Sequence, residues 1–277
     1  MAFVADPGIR VITAGSTKVA PGLPQPDKIK HHWDFTDPSQ LSQDAAGLVP
    51  AVSQGDPIGR VDDKGFDNEP LLQSVTNRQP TVDLSTHNLR VANFIASVML
   101  TGAIPTGLGN QFWGGVTFFE VLGGVQFVES IVYAYDTVAS DRLRVGTLPN
   151  DGGGAATQAA QVHAVSGDQE NLNADAGFFG VNEFNGAISI WDSTPFLSMI
   201  GSLKILPVTD NNANNPPANG AAVIVGGATD ASPPDNPLVG RIGEVIIYDG
   251  TAVFTNQELT QIKSYGTFKY DTLRWAG

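Results

Sequence analysis

Cysteine is absent from the 277 residues. Disulfide staples and thiolate metal sites are therefore excluded, and the redox compartment is left undetermined. Basic residues are scarce: 15 Lys and Arg stand against 28 Asp and Glu, a net charge of -13. That balance excludes a broad phosphate-binding surface, and no Lys/Arg cluster offers a local one, so nucleic acid is not an expected partner. No apolar run reaches the roughly 20 residues of a membrane-spanning helix, so no membrane insertion is expected. The opening MAFVADPGIRVITAG lacks a basic n-region and a continuous apolar core, so no export signal is expected there. Catalytic signatures are missing too. There is no H-E-x-x-H, no G-x-S-x-G and no P-loop. Gly152-Gly153-Gly154 has no Lys-Ser/Thr after it and reads as a loop.

What is abundant is turn chemistry, with 31 glycines and 18 prolines, as suits many short strands. The chain is organised around residues 238–270. Leu238 to Tyr248 is rich in β-branched and aromatic residues and predicts a strand. Alternation puts Ile242, Glu244, Ile246 and Tyr248 on one face and Val245 and Ile247 on the other, so both faces of its second half are apolar. Asp249-Gly250 turns the chain. Thr255 with Glu258 three residues on is a capping-box pattern that starts a helix. Leu259, Ile262 and Tyr265 form its docking stripe, and Gly266 is the expected stop.

Residues 1–30 read as an extended arm, because Pro7, Pro21, Pro24 and Pro26 break regular elements. Residues 31–277 read as one domain. His31 to Thr36 predicts the first core strand, with Trp33 and Phe35 on one face. Closely spaced turn residues fill the next forty positions, with short strands at Ile58–Val61 and Leu71–Ser74. Leu89–Thr101 and Val116–Leu122 are strands, and Gly123-Gly124 predicts a two-residue hairpin into the strand that follows. Arg142–Thr147 continues a meander. The strand spacing favours a two-sheet sandwich.

The closing stretch resembles that of concanavalin A-like jelly rolls of the laminin-G and pentraxin type. Those domains end with a G-x-I-x-E strand running to Y-D, then a short helix ending near an aromatic-Lys-Tyr. The matching residues are Gly240, Ile242, Glu244, Tyr248 and Asp249, then Glu258 to Lys269-Tyr270. Trp33-Asp34-Phe35, Asp37 and Gln79-Pro80-Thr81 resemble the opening of such domains. The resemblance implies an all-β, two-sheet antiparallel jelly-roll sandwich with an extended N-terminal arm and one short C-terminal helix. It is a lectin-like fold of the kind carried by phage virion proteins.

Glycoside hydrolysis needs two carboxylates roughly 5 to 9.5 Å apart. No strand carries two of them on one face. Glu120, Glu129 and Glu244 each stand alone in an apolar run, as edge or rim residues do. Pairs drawn from different strands stay open, and Glu183 near Asp192 is conceivable. His31-His32 are adjacent, so their side chains oppose each other, one facing solvent and one half-buried. The resemblance makes calcium the candidate cofactor, and Asp62, Asp63, Asp67, Asn68 and Glu69 gather oxygen ligands in one segment, although an ordinary Asx-rich turn explains them equally well. For a sugar, Trp113 in the loop GNQFWGG is the candidate stacking platform, with Asn110 and Gln111 beside it. Trp191 reads as core.

The expected role is a non-catalytic structural or adhesion protein of a phage virion, such as a decoration, fibre or tail-tip protein. Its arm would join other virion proteins, it would form a homo-oligomer such as a trimer, and its loops would face outward to a surface glycan. The alternatives are a bacterial carbohydrate-binding module or adhesin, and a polysaccharide hydrolase or lyase.

Overall fold

The computed structural model describes residues 21–85, 88–95, 97–100, 113–122, 129–135, 142–148, 159–161, 182–192, 196–200, 205–206, 222–227, 237–248 and 254–270. In chain order the elements are β1 (Ile29–Asp34), β2 (Leu41–Ser42), β3 (Arg60–Val61), β4 (Leu71–Leu72), β5 (Thr81–Leu84), β6 (Arg90–Ile95), β7 (Met99–Leu100), β8 (Trp113–Val121), β9 (Glu129–Tyr135), β10 (Arg142–Leu148), β11 (Ala159–Gln161), β12 (Phe184–Asp192), β13 (Phe196–Ile200), β14 (Ile205–Leu206), β15 (Ala222–Val225), β16 (Val239–Tyr248) and the helix α1 (Asn256–Tyr270). The fold is an all-β sandwich of antiparallel sheets with one C-terminal helix.

One sheet runs β14-β13-β12-β8-β16-β6-β5, with β1 also on β16; the other runs β11-β10-β9-β15-β7-β4-β3-β2. As the sequence pattern implies, β16 is an inner strand. β8 pairs along one side of it. Its other side is shared: β6 takes Val239 to Ile242, and β1 takes Glu244 to Tyr248. The change of neighbour falls at Gly243, where the register also slips. That bulge corrects the simple alternation. Ile242 lies opposite Phe119 and Glu244 opposite Phe118, so Ile242 and Glu244 point to opposite faces.

The Gly123-Gly124 hairpin does not form between the strands that flank it. β8 has β12 and β16 as neighbours, and β9 has β10 and β15, so the chain passes from one sheet to the other. Gly123 and Gly124 themselves lie outside the described residues. The expected β9–β10 meander is present. Leu89–Thr101 divides into β6 and β7, which belong to different sheets.

Two apolar layers result. Between the sheets Phe35 meets Phe94 edge-on, and Trp33, Val61, Leu71, Met99, Phe119 and Val225 are buried. On the other face of the first sheet, Val116, Phe118, Phe184, Ile188, Ile246 and Tyr248 pack against Ile262, Tyr265 and Tyr270 of α1. The capping box starts the helix as expected: the Glu258 amide donates to Thr255 Oγ1 at 3.2 Å, and the Thr255 amide donates to Glu258 Oε2 at 2.8 Å. Gly266 does not stop it. The helix runs on to Tyr270 with Gly266 buried inside it, because its last turn is held from below by the sheet. No helix among the described residues is long and apolar enough to cross a membrane. Residues 1–20 of the expected arm lie outside the described residues. The part that follows packs on its own chain: Gln25 Nε2 donates to Glu258 Oε1, and Gly22 O accepts from Gln261 Nε2.

Candidate functional site

Two clusters of polar side chains flank β1, one on each face. Residues alternate along that strand, so His32 and Asp34 point toward α1 while His31 and Trp33 point between the sheets.

On the helix side, Glu244 is fully buried and is the centre of a charged knot. Its Oε1 accepts from Lys269 Nζ at 2.7 Å, Tyr265 Oη at 2.7 Å and His32 Nε2 at 2.9 Å. Its Oε2 accepts from Tyr270 Oη at 2.9 Å. Lys269 also donates to Asp34 Oδ2 at 2.9 Å, and Lys64 reaches Asp34 and Asp37 at 3.0 and 2.8 Å. Burial is the largest influence on the Glu244 and Asp34 carboxyls and raises both. Lys269 first, joined by Lys64, His32 and Thr36 at Asp34 and by His32 at Glu244, outweighs it and holds both below the usual carboxylate range. Burial alone lowers the Lys269 ammonium, yet the two carboxylates push it above its ordinary value. The Tyr270 hydroxyl is driven well up, first by burial and then by the Glu244 charge.

His32, Asp34 and Glu244 place ligand atoms within 4.8 Å of one another, a spacing that fits a metal. Here Lys269 is the cation. Its ammonium bonds both carboxylates, so the triad ties β1, β16 and α1 together. Glu244 is thus no rim residue, and neither histidine faces solvent: His31 and His32 are 1% and 5% exposed. Glu120 is buried too and accepts from Arg241, which also bonds Asp83.

On the other face, the segment after β3 folds back along β1. The amides of Lys64, Phe66 and Asp67 donate to the carbonyls of His32, Ile29 and Lys30. Gly65 permits that approach, since a Cβ there would lie 2.2 Å from Lys30 O. The segment is the one expected to bind calcium, and its residues go to separate partners. Asp62 pairs with Arg60. Asp63 accepts from His31 Nδ1 at 2.7 Å and from the amides of His32, Gly65 and Glu69. Asp67 faces Lys30 and His31. Asn68 takes a left-handed φ of 52°, and the Glu69 carbonyl accepts from the Trp33 indole. Phe66, between these, is 84% exposed.

The expected sugar platform is placed differently. Trp113 opens β8 instead of lying in a loop, and the register sets it opposite Trp191 of β12. Asn110 and Gln111 lie outside the described residues. Glu183 and Asp192 do not form a catalytic pair. Glu183 precedes β12 and Asp192 ends it, roughly 30 Å apart at about 3.3 Å per residue.

The sequence matches no protein-family model and no curated protein. Solved structures do match. One is domain 4 of AbnA, a GH43 extracellular arabinanase from Geobacillus stearothermophilus, in complex with arabinotriose. It is 12% identical, with 84% of this chain and 98% of that chain covered and a TM-score of 0.52. Another is the binding domain of Paraclostridial Mosquitocidal Protein 1, at 9% identity, 88% and 52% coverage, and a TM-score of 0.54. A third is Trypanosoma rangeli sialidase in complex with sialic acid, at 10% identity and a TM-score of 0.53. The match takes in 95% of this chain and only 35% of the sialidase. What is shared is the β-sandwich fold.

These neighbours correct the expectation that the chain is no enzyme, because they include glycoside hydrolases, an arabinanase and a sialidase. That expectation rested on the lack of two carboxylates on one strand face and of familiar catalytic motifs, neither of which excludes a pair drawn from separate strands. None of the three is described as a phage protein, so the virion setting gains nothing from them. Sequence reasoning also missed Phe66. Its trace was there in D-K-G-F-D-N, a large aromatic set among turn residues where no core position is due.

Proposed function

We propose that the chain is a carbohydrate-recognition β-sandwich and that the segment Gly65–Asn68 on the flank of β1 is its binding surface. The observation that carries this is Phe66, an aromatic side chain held almost wholly in solvent by a segment bonded to β1. An exposed ring of that kind offers a flat apolar face to a pyranose or furanose ring. Asp67, Asn68 and Lys30 stand beside it as hydrogen-bonding groups for hydroxyls. The fold shared with an arabinanase domain solved with arabinotriose, and with a sialidase solved with sialic acid, supports the same reading.

The test is a glycan array that includes arabino-oligosaccharides and sialylated glycans, followed by calorimetry on each hit. Covering a Phe side chain is worth about 1.5–3 kcal/mol. Phe66→Ala is therefore expected to weaken a true ligand by roughly tenfold or more, with unchanged melting. Equal affinity of wild type and variant removes this surface from the reading.

Glycoside hydrolysis is the second reading, favoured by the enzymes among the structural neighbours. Asp34 and Glu244 are committed to Lys269, so a catalytic pair has to come from other carboxylates. Release of reducing ends from arabinan or sialoglycans by the purified chain would establish it. Attachment to a particle through the arm of residues 1–30, and trimer formation, are separate proposals.

A further inference from the structure

We propose that His31 and Asp67 hold a divalent transition-metal cation beneath the Phe66 segment, with solvent completing its coordination. Asp63 fixes where the hydrogen of its contact with His31 lies. Its carboxylate can only accept, and it already accepts from three backbone amides, so the hydrogen of the 2.7 Å contact belongs to His31 Nδ1. In the neutral ring that leaves the lone pair on the other nitrogen, Nε2. It is buried and has no hydrogen-bond partner, on a residue only 1% exposed. It points at Asp67 Oδ2, 3.8 Å away, which is likewise buried and without a hydrogen-bond partner.

At 3.8 Å the two atoms are too far apart for a direct hydrogen bond, and with the ring neutral their lone pairs favour a positive group between them. A cation about 2.1 Å from each atom spans the gap with an angle of about 130° at the metal. The carboxylate behind the imidazole, fixing its tautomer and ring plane, is the usual support of a ligating histidine. His31 is locked further by stacking on Trp33, ring centroids 4.9 Å apart. A nitrogen ligand beside a carboxylate suits Zn²⁺, Co²⁺ or Ni²⁺ better than calcium, which prefers oxygen throughout. Of the segment expected to bind calcium, only Asp67 then touches the ion, and its main partner is a histidine outside that segment.

One group competes. Lys30 Nζ lies 3.5 Å from the same Asp67 oxygen and is about a third exposed, at 31%. A cation entering the site has to turn it outward. That gives the site a signature: removing Lys30 strengthens binding, and removing the Asp67 charge weakens it.

The experiment titrates Zn²⁺ by calorimetry into the full, untagged, chelator-stripped chain, and Co²⁺ by visible absorption. Expected are one saturable Zn²⁺ site per chain and a Co²⁺ ligand-field band. Lys30→Met should tighten Zn²⁺ several-fold, and Asp67→Asn should weaken it tenfold or more. Both residues are partly exposed, so neither variant depends on His31→Gln folding. Phe66→Ala should leave Zn²⁺ affinity unchanged, which separates failure of this proposal from failure of the glycan reading. No Zn²⁺ binding by wild type or Lys30→Met, or equal affinity across wild type, Lys30→Met and Asp67→Asn, overturns it and leaves a bridging water between the two atoms.

Discussion

Lys269 shows how much one side chain carries in this molecule. It is 7% exposed, and the two carboxylates it bonds are fully buried. Replacing it by Met leaves Asp34 and Glu244 charged and facing each other, a loss of about 3–5 kcal/mol when one partner of a buried ion pair is removed. Urea unfolding should show the midpoint fall accordingly; an unchanged midpoint would mean that water already reaches the knot. Gly243 matters for a steric reason. A Cβ there would lie 2.5 Å from the Tyr270 hydroxyl and 2.6 Å from its ring. Gly243→Ala is expected to cost about 1–3 kcal/mol, read from the same transition, by pushing Tyr270 off Glu244. At this scale the sequence was least legible. Glu244 looked like a rim residue, and His31-His32 like one exposed and one half-buried ring, because their partners are remote. Asp63 lies 32 positions from His31, and Glu244 lies 212 from His32. No local pattern reports such a pairing. The nearest hint is the Lys269-Tyr270 end of the helix, and both of those side chains reach Glu244.

Among the elements, β16 and α1 were the most legible, since their cues are local. β-branched residues, a turn and a capping box state a strand followed by a helix without reference to the rest of the chain. Thr255→Ala removes the Oγ1 that accepts from the Glu258 amide and donates to Glu258 Oε2, and is expected to cost about 1 kcal/mol, with the loss visible as earlier amide exchange in the first turn of α1. The element-scale errors have a common cause. Gly123-Gly124 is a good local turn, but which strands pair is decided by which sheet has room. β8 already had β12 and β16 on its two sides. Gly266 is a poor helix former, but a last turn carrying Lys269 and Tyr270 into the knot outweighs a local cost of about 1 kcal/mol. The face of Ile242 was misread because one bulged residue reverses every side chain beyond it.

For the molecule as a whole, buried ionised groups set the pH range of stability. Asp34, Asp63 and Glu244 are held below the ordinary carboxylate range in the fold. Groups depressed in this way stabilise the fold above their unfolded values near 4, and that contribution is lost as pH falls through the folded values. At the alkaline end the signs reverse. Lys269 is raised in the fold, so its contribution is full below about 10.4 and fades as pH rises through its folded value. Tyr270 is raised as well, so above about pH 10 the unfolded chain ionises it while the folded chain does not, which also favours unfolding. Melting temperature is expected to be flat from about pH 5 to 9 and to drop on both sides. A drop confined to the acid side would mean that the knot is wet. The two-sheet architecture was readable from turn density and strand spacing. The surface that we assign to recognition was not, because exposure of Phe66 depends on Gly65 lying flat against β1.

The most direct test of that assignment is an amide shift map of the labelled chain, recorded while it is titrated with its best-binding glycan. The account predicts that the saturating shifts gather at Lys30 and Gly65 to Asn68. Shifts gathering instead where β8 begins and β12 ends, around Trp113 and Trp191, would contradict it.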